Sequence, residues 1–328
     1  MYRLESFWHD SVALADNPLG DPTHRQTWVL TPEGHDADVP LPAIWMLASF
    51  LSTGSAFLSF RPWQENLWDR VNRLQATGML PPVRFVLPDV FTRLGGSQYL
   101  DSPAIGAYQT YLWQELLPAM EDRYATRNRG LAGTSSGGYG AIVSALLGPT
   151  LFSGLVAHAA DMGFSWGYLP DYPKFLEVIR RFGGVEAFWQ TFLASPSKPQ
   201  EWLTAVNLLA MAAAYSPNMD ALPPHVDLPL DPVTLEPRTE IWSRWQQWDP
   251  IEFISTPAVS DRARELRLFY FDAGDNDQYN LQYGAQKFHL KLCALGIPHA
   301  FEIFSGGHFG TQTRFDQSLP RLAKALSD

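Results

Sequence analysis

An α/β fold, with a mostly parallel central sheet and helices on both faces, follows from three features of the sequence. Strand-like and helix-like segments alternate along most of the chain. Several of the strand-like segments are short and largely apolar, as expected of strands covered on both sides. Hydrophobic residues make up 46% and charged residues 18%, which supplies the core such a fold needs. The length of 328 residues fits one large domain or two ordinary ones.

The elements fall in order. Arg25 to Leu30 alternates and stops at the turn signal Thr31-Pro32. Ala43 to Ala48 is a wholly apolar strand. Gln64 to Thr77 carries Leu67, Val71 and Leu74 at helical spacing. Val83 to Leu87 is a strand stopped by Pro88, and Ala107 to Tyr124 a helix. Leu131-Ala132 closes a strand before the run GTSSGGYGA; Tyr139 to Leu147 is helical, and Leu155 to Ala159 is the next strand. The rhythm resumes with a strand over Arg267 to Phe271, a helix over Leu281 to Leu295, a strand over Ala300 to Phe304 and a helix over Thr313 to Leu326.

Between Asp161 and Pro250 the rhythm stops. This stretch holds six of the twelve tryptophans and eleven of the 26 prolines. Helical pieces are expected at Lys174–Arg181, Val185–Leu193 and Trp202–Tyr215, whereas Pro217 to Pro237 can continue neither a helix nor a central strand. Residues 161–250 therefore read as a helical, Trp/Pro-rich cap inserted into a core built from residues 1–160 and 251–328.

With 24 Lys plus Arg against 34 Asp plus Glu, the formal charge of −10 argues against nucleic acid and anionic lipid as partners. One cysteine, Cys293, excludes an internal disulfide framework and any multi-cysteine metal site; on its helix it reads as packing. The sequence MYRLESFWHDS lacks a basic segment followed by an apolar run, and no stretch of 18 apolar residues occurs. A cytoplasmic location without membrane contact is expected, and a homo-oligomer is compatible with the composition.

Chemistry is concentrated in Gly133-Thr134-Ser135-Ser136-Gly137, which matches G-x-S-x-G between a strand and a helix. Glycines are needed where a chain turns that sharply, and the turn lifts the Ser135 hydroxyl clear of the sheet. The Ser136 N–H then lies at a helix N-terminus, aimed at a developing oxyanion. A serine needs a base. Of eight histidines, His308 sits in a glycine-rich loop directly after the strand ending at Phe304, whereas His299 precedes that strand and His289 falls within a helix. The base needs an acid. Asp272, Asp275 and Asp277 follow the preceding strand, Asp161 follows the strand before the insertion, and the residue types alone do not separate them. His158 and Asp161 are candidates for the pocket wall.

These motifs resemble the Putative-esterase family of α/β-hydrolases, which includes esterase D-type S-formylglutathione hydrolases, enterochelin esterases, feruloyl esterases and mycolyltransferases. GTSSGGYGA resembles the family's elbow, and Val86-Leu87-Pro88-Asp89 followed by Arg93 to Tyr99 resembles its strand and the following loop. Gly274-x-x-Asp277 resembles its acid loop, which favours Asp277 over Asp275, and Gly306-Gly307-His308 its histidine segment. The resemblance covers about Arg25 to Asp161 and Leu266 to Leu326. It implies an α/β-hydrolase fold and a Ser135–His308–Asp277 triad, with no metal and no organic cofactor. The family often has His-Gly after the third strand, where this chain has Ala48-Ser49-Phe50; the Phe50 backbone N–H would then be the second oxyanion donor.

The expectation is a serine carboxylesterase acting through an acyl-enzyme on a small-molecule ester. The tryptophan-rich insertion suggests an uncharged acyl group, aromatic or short-chain. Alternatives are an acyltransferase with the same triad, or a non-catalytic binding module on a hydrolase scaffold.

Overall fold

The computed structural model describes residues 1–328. Eight strands form one sheet: β1 (Tyr2–Asp10), β2 (His24–Pro32), β3 (Leu41–Leu47), β4 (Arg84–Pro88), β5 (Thr126–Thr134), β6 (Gly154–His158), β7 (Leu268–Gly274) and β8 (Ala300–Phe304). Their spatial order is β1-β2-β4-β3-β5-β6-β7-β8. The β1–β2 and β2–β4 pairs are antiparallel and every other pair is parallel. The helices include α1 (Leu67–Ala76), α2 (Ser136–Leu146), α3 (Tyr172–Phe182), α4 (Val185–Ala194), α5 (Leu203–Tyr215), α6 (Thr239–Gln246), α7 (Leu281–Ala294) and α8 (Phe315–Ser327).

The period-2 alternation of strand side chains builds two cores, one on each face. Trp45, Val86, Leu131, Leu155 and Phe271 point into a cluster of 67 buried residues, which also takes in Ile142 of α2 and Phe288 of α7. Their chain neighbours Ile44, Phe85, Ala132, Val156 and Tyr270 point the other way, into a cluster of 19 with Val71 of α1 and Leu322 of α8. A strand sandwiched in this way must be apolar on both faces, and all seven residues of β3 are buried. Helix α1 begins at an Asn66 side chain that accepts the Asp69 N–H at 2.9 Å, and it buries Leu67, Val71 and Leu74.

Two elements exceed the sequence expectation. Strand β1 was not expected; it is an edge strand with charges at Arg3, Glu5 and Asp10, and its residues after Tyr2 alternate between exposed and half-buried, so it carries no apolar run. Strand β5 extends back to Thr126 through the polar stretch TRNR, where Arg129 is paired with Glu121 rather than with apolar neighbours.

Between β6 and β7 the chain forms α3 to α6. Helix α5 is almost wholly apolar, and ten of its thirteen residues are buried, so it is enclosed on all sides. Phe175, Trp189, Leu209, Tyr215 and Trp245 belong to the same 67-residue cluster as the sheet, so this segment shares the core of the sheet instead of building its own. No helix is long and apolar enough to cross a membrane.

Candidate active site

Parallel strands deliver their C-terminal ends to one edge, and Ser135, Asp277 and His308 follow β5, β7 and β8 there. Ser135 is the hinge of the strand–helix turn. Its φ of 55° and ψ of −127° lie outside the regions open to an ordinary side-chain-bearing residue, a strain of about 1–3 kcal/mol held by the packing around it. Glycine is required on either side. A Cβ at Gly133 would stand 2.3 Å from the Gly137 carbonyl carbon, and one at Gly137 would stand 2.0 Å from the Leu47 carbonyl oxygen. The second approach sets the start of α2 directly against the end of β3.

The three side chains meet. His308 Nδ1 lies 2.9 Å from Asp277 Oδ2, and His308 Nε2 lies 3.1 Å from Ser135 Oγ. A carboxylate can only accept, so Nδ1 carries the proton and Nε2 presents a lone pair to the serine hydroxyl. Asp277 is closed off from solvent and its second oxygen accepts the Tyr279 N–H at 2.8 Å, which fixes the carboxylate plane. The His308 backbone N–H donates to Gln278 Oε1 at 2.8 Å, tying the histidine loop to the acid loop. Asp275 has a different place: its Oδ1 accepts the Gly306 N–H at 3.0 Å, away from the imidazole. Tyr279 stands edge-on to His308 with 4.7 Å between ring centres, and Phe309, exposed, lies 5.7 Å from the same ring.

Ser136 opens α2, and N–H groups of a first helical turn have no intrahelical acceptor. The Phe50 N–H makes no backbone hydrogen bond. Its loop is held from several sides. Ser49 Oγ donates to the Thr134 carbonyl at 2.9 Å, Tyr99 Oη donates to the Ala48 carbonyl at 2.6 Å, and the Leu51 N–H donates to the Gly95 carbonyl at 2.8 Å. The hydroxyl of Ser49 thus gives this loop an anchor on the elbow strand itself.

Asp161 lies buried behind the elbow. Its Oδ2 accepts from Gln98 Nε2 at 3.0 Å, Tyr168 Oη at 3.0 Å and Ser136 Oγ at 3.3 Å. Burial pushes its carboxyl above the usual carboxylate range, against the downward pull of the Gln98 amide and, more weakly, of His308 and the Tyr168 and Ser136 hydroxyls. His158 does not line a pocket. It is fully enclosed on the α8 face, with Nδ1 2.8 Å from Asp272 Oδ1 and Nε2 2.8 Å from Ser318 Oγ. Ser318, His158 and Asp272 mimic a triad, but no substrate can reach them. Asp272 also accepts from Arg314 Nε at 2.9 Å and Tyr270 Oη at 3.0 Å, so this candidate acid is engaged in holding α8 to the sheet.

The insertion tryptophans are packing residues for the most part. Trp189 and Trp245 are buried, and Trp202, Trp242 and Trp248 pack against the core; Trp166 alone is exposed, beside Tyr283. The aromatic rings near His308 come from the acid and histidine loops instead. Gln98 and Tyr99, both at positive φ and both buried beside the elbow, escaped the sequence reading as site residues, since nothing in residue type marks such a conformation. A polar cavity of about 70 Å³ opens beside Thr134 and Ser49, bordered by Ser52, Asn66, Arg70 and Gln312.

This sheet, with a serine on its strand–helix elbow, is an α/β-hydrolase scaffold, and the family to which the chain belongs makes the protein a carboxylic ester hydrolase. The chain belongs to the family described as "Putative esterase", which it matches over residues 98–325. It is similar in fold to a ferulic acid esterase, at 17% identity and a TM-score of 0.62 over 99% of this chain and 98% of the other. It is similar to an S-formylglutathione hydrolase from Agrobacterium tumefaciens, at 16% identity and a TM-score of 0.59 over 99% and 96%. An enterochelin esterase from Shigella flexneri aligns at 16% identity and a TM-score of 0.53, over 99% of this chain and 59% of the other. A search of curated protein sequences finds no significant match.

Proposed function

We propose that this protein hydrolyses an uncharged carboxylic ester, short-chain or aromatic in its acyl part, through a Ser135 acyl-enzyme. The observation that carries the reading is the continuous chain Ser135–His308–Asp277, with separations of 3.1 and 2.9 Å, on a strained elbow. Ser135 Oγ attacks the ester carbonyl carbon while His308 Nε2 takes its proton. The carbonyl π pair moves onto oxygen, and the N–H groups of Ser136 and Phe50 stabilise the resulting oxyanion. Collapse expels the alkoxide, which leaves as the alcohol with the proton from Nε2. Water then attacks the acyl carbon, gives its proton to Nε2, and the second collapse releases the acid and restores Ser135. Asp277 orients the imidazole and stabilises the imidazolium in both halves.

The acyl preference is supported by Tyr279 and Phe309 flanking His308, and by the absence of Lys and Arg side chains from the hydrogen bonds of the triad. Asp161 is a positioning residue in this account: it holds the Ser136 side chain and the Gln98 amide behind the elbow. The test compares p-nitrophenyl acetate, p-nitrophenyl butyrate and methyl ferulate as substrates for wild type, Ser135→Ala and His308→Ala. Turnover of at least one ester by wild type is expected, with a loss of about 10⁴-fold or more in both variants. Wild-type activity that survives in Ser135→Ala would refute the proposal.

A further inference from the structure

Outside the esterase site, three side chains of metal-ligating type converge at the far end of α7. His289 and Cys293 are four residues apart and share one face of that helix, and His299 reaches them from the turn before β8. His289 Nδ1 lies 2.8 Å from His299 Nε2, and Cys293 Sγ lies 3.8 Å from His289 Nδ1. All three donor atoms fall within 4.8 Å of one another. The corner is at the opposite edge of the sheet from Ser135, since His299 precedes β8 and His308 follows it.

We infer that His289, Cys293 and His299 form a binding site for a thiophilic divalent cation, zinc in the first instance. A tetrahedral zinc with ordinary bond lengths sets its ligand atoms about 3.3 Å apart for two nitrogens and about 3.6 Å for nitrogen and sulfur. The His289–His299 and His289–Cys293 distances differ from these by about half an ångström or less, and the Cys293–His299 pair, within 4.8 Å, needs to close by at most about 1.2 Å, which rotation of the exposed Cys293 side chain can supply. The imidazoles are also oriented as ligands. His299 Nδ1 lies 2.7 Å from the Ile297 carbonyl, which can only accept, so that nitrogen carries the proton and Nε2 offers its lone pair to the shared centre. His289 then donates Nδ1–H to it in the metal-free protein. Both rings are braced from behind, His289 stacked on Phe301 at 4.6 Å and His299 on Phe271 at 5.8 Å.

On binding, His289 moves its proton from Nδ1 to Nε2 and Cys293 releases its thiol proton to solvent. Two neutral imidazoles and one thiolate then hold the cation, with no change of oxidation state. Cys293 is exposed, so the fourth position is open to water. Such a cation ties the end of α7 to the start of β8.

The experiment uses the whole protein, stripped with a chelator and kept reduced, and titrated with Co²⁺ as a spectroscopic stand-in for zinc. The expected result is one Co²⁺ per chain with a thiolate-to-cobalt charge-transfer band and the ligand-field bands of a tetrahedral site, all displaced by one equivalent of Zn²⁺. Cys293→Ser, at an exposed position that keeps the fold by circular dichroism, should lose the charge-transfer band. It should also weaken binding by at least about 100-fold, because loss of a mere outer partner already costs about 10–100-fold. Zinc should raise the Tm of wild type but not that of Cys293→Ser. Failure to saturate, binding without the thiolate band, or unchanged affinity in Cys293→Ser would each overturn the inference.

Discussion

Replacing Asp277 by Asn keeps the size and shape of the side chain and changes one hydrogen-bonding atom. In the native protein one carboxylate oxygen accepts His308 Nδ1–H at 2.9 Å and the other accepts the Tyr279 N–H at 2.8 Å. An amide has a single oxygen, and the Tyr279 N–H requires an acceptor, so the amide NH₂ turns towards the imidazole. Nδ1 must then accept and Nε2 must carry the proton. A protonated Nε2 cannot take the proton of Ser135, although every distance is preserved. The wrong tautomer is expected to lower kcat by about 10⁴-fold, equivalent to about 5.4 kcal/mol of transition-state stabilisation. KM should move little, because Asp277 is closed off from solvent and touches no substrate. Asp275→Asn is the matched control. Its Oδ1 accepts only the Gly306 N–H, and an amide oxygen does the same, so activity should stay within about 10-fold of wild type. The assay is kcat and KM on a p-nitrophenyl ester across pH, with circular dichroism to establish folding. Equal losses in the two variants, or an Asp277→Asn enzyme within 10-fold of wild type on the same scale, would show that the tautomer argument is wrong.

Other substitutions probe the frame around this chain. Gly137→Ala puts a methyl group 2.0 Å from the Leu47 carbonyl oxygen, so the elbow must shift; activity should fall by about 100-fold or more for a displacement of about 1 Å, read as kcat/KM with a lowered Tm. Trp245→Ala removes a fully buried ring whose Nε1 donates to Ser216 Oγ at 2.7 Å, and should cost about 3–5 kcal/mol in urea denaturation. The insertion shares its core with the sheet, so the loss should appear as an earlier single transition and not as a separate first step. Asp161→Asn tests the buried carboxyl behind the elbow. Burial raises its folded-state pKa above the unfolded value near 3.8, so the folded protein holds that proton to higher pH than the unfolded chain. Its contribution to stability is therefore fully present below that unfolded value and declines as pH rises through the raised folded pKa. Urea melts from pH 4 to pH 7 should show the stability of Asp161→Asn minus that of wild type increasing as pH rises; a difference that stays flat or falls would contradict the sign.

Much of the fold was legible because parallel strands sandwiched between helices must be short and apolar, and Ala43 to Leu47, Phe85 to Leu87 and Leu155 to Ala157 are so. The edge strand β1 was not, since an edge strand with one wet flank needs no apolar run, and Arg3, Glu5 and Asp10 read as a polar terminus. Ser135 and His308 could be placed from glycine spacing and strand order. The choice between Asp275 and Asp277 could not be made from residue type, because both follow β7; two residues of loop decide which carboxylate faces the imidazole and which one caps the Gly306 N–H. His158 misled because the end of a strand near the site does not say which face its side chain takes. Alternation sends it to the α8 side, into a hydrogen-bonded contact with Asp272 and Ser318. The tryptophans of the insertion misled in the opposite direction: their density marks a packed core, while the rings that border His308, Tyr279 and Phe309, stand singly in two loops.

The central claim is that Ser135 is the nucleophile, and covalent capture tests it most directly. A fluorophosphonate probe incubated with the protein, followed by intact mass and peptide mapping, should give one adduct per chain on Ser135. The adduct should be absent in Ser135→Ala and strongly slowed in His308→Ala, with loss of ester hydrolysis tracking its formation. An adduct on any other residue, or hydrolysis that continues in fully labelled protein, would contradict the account.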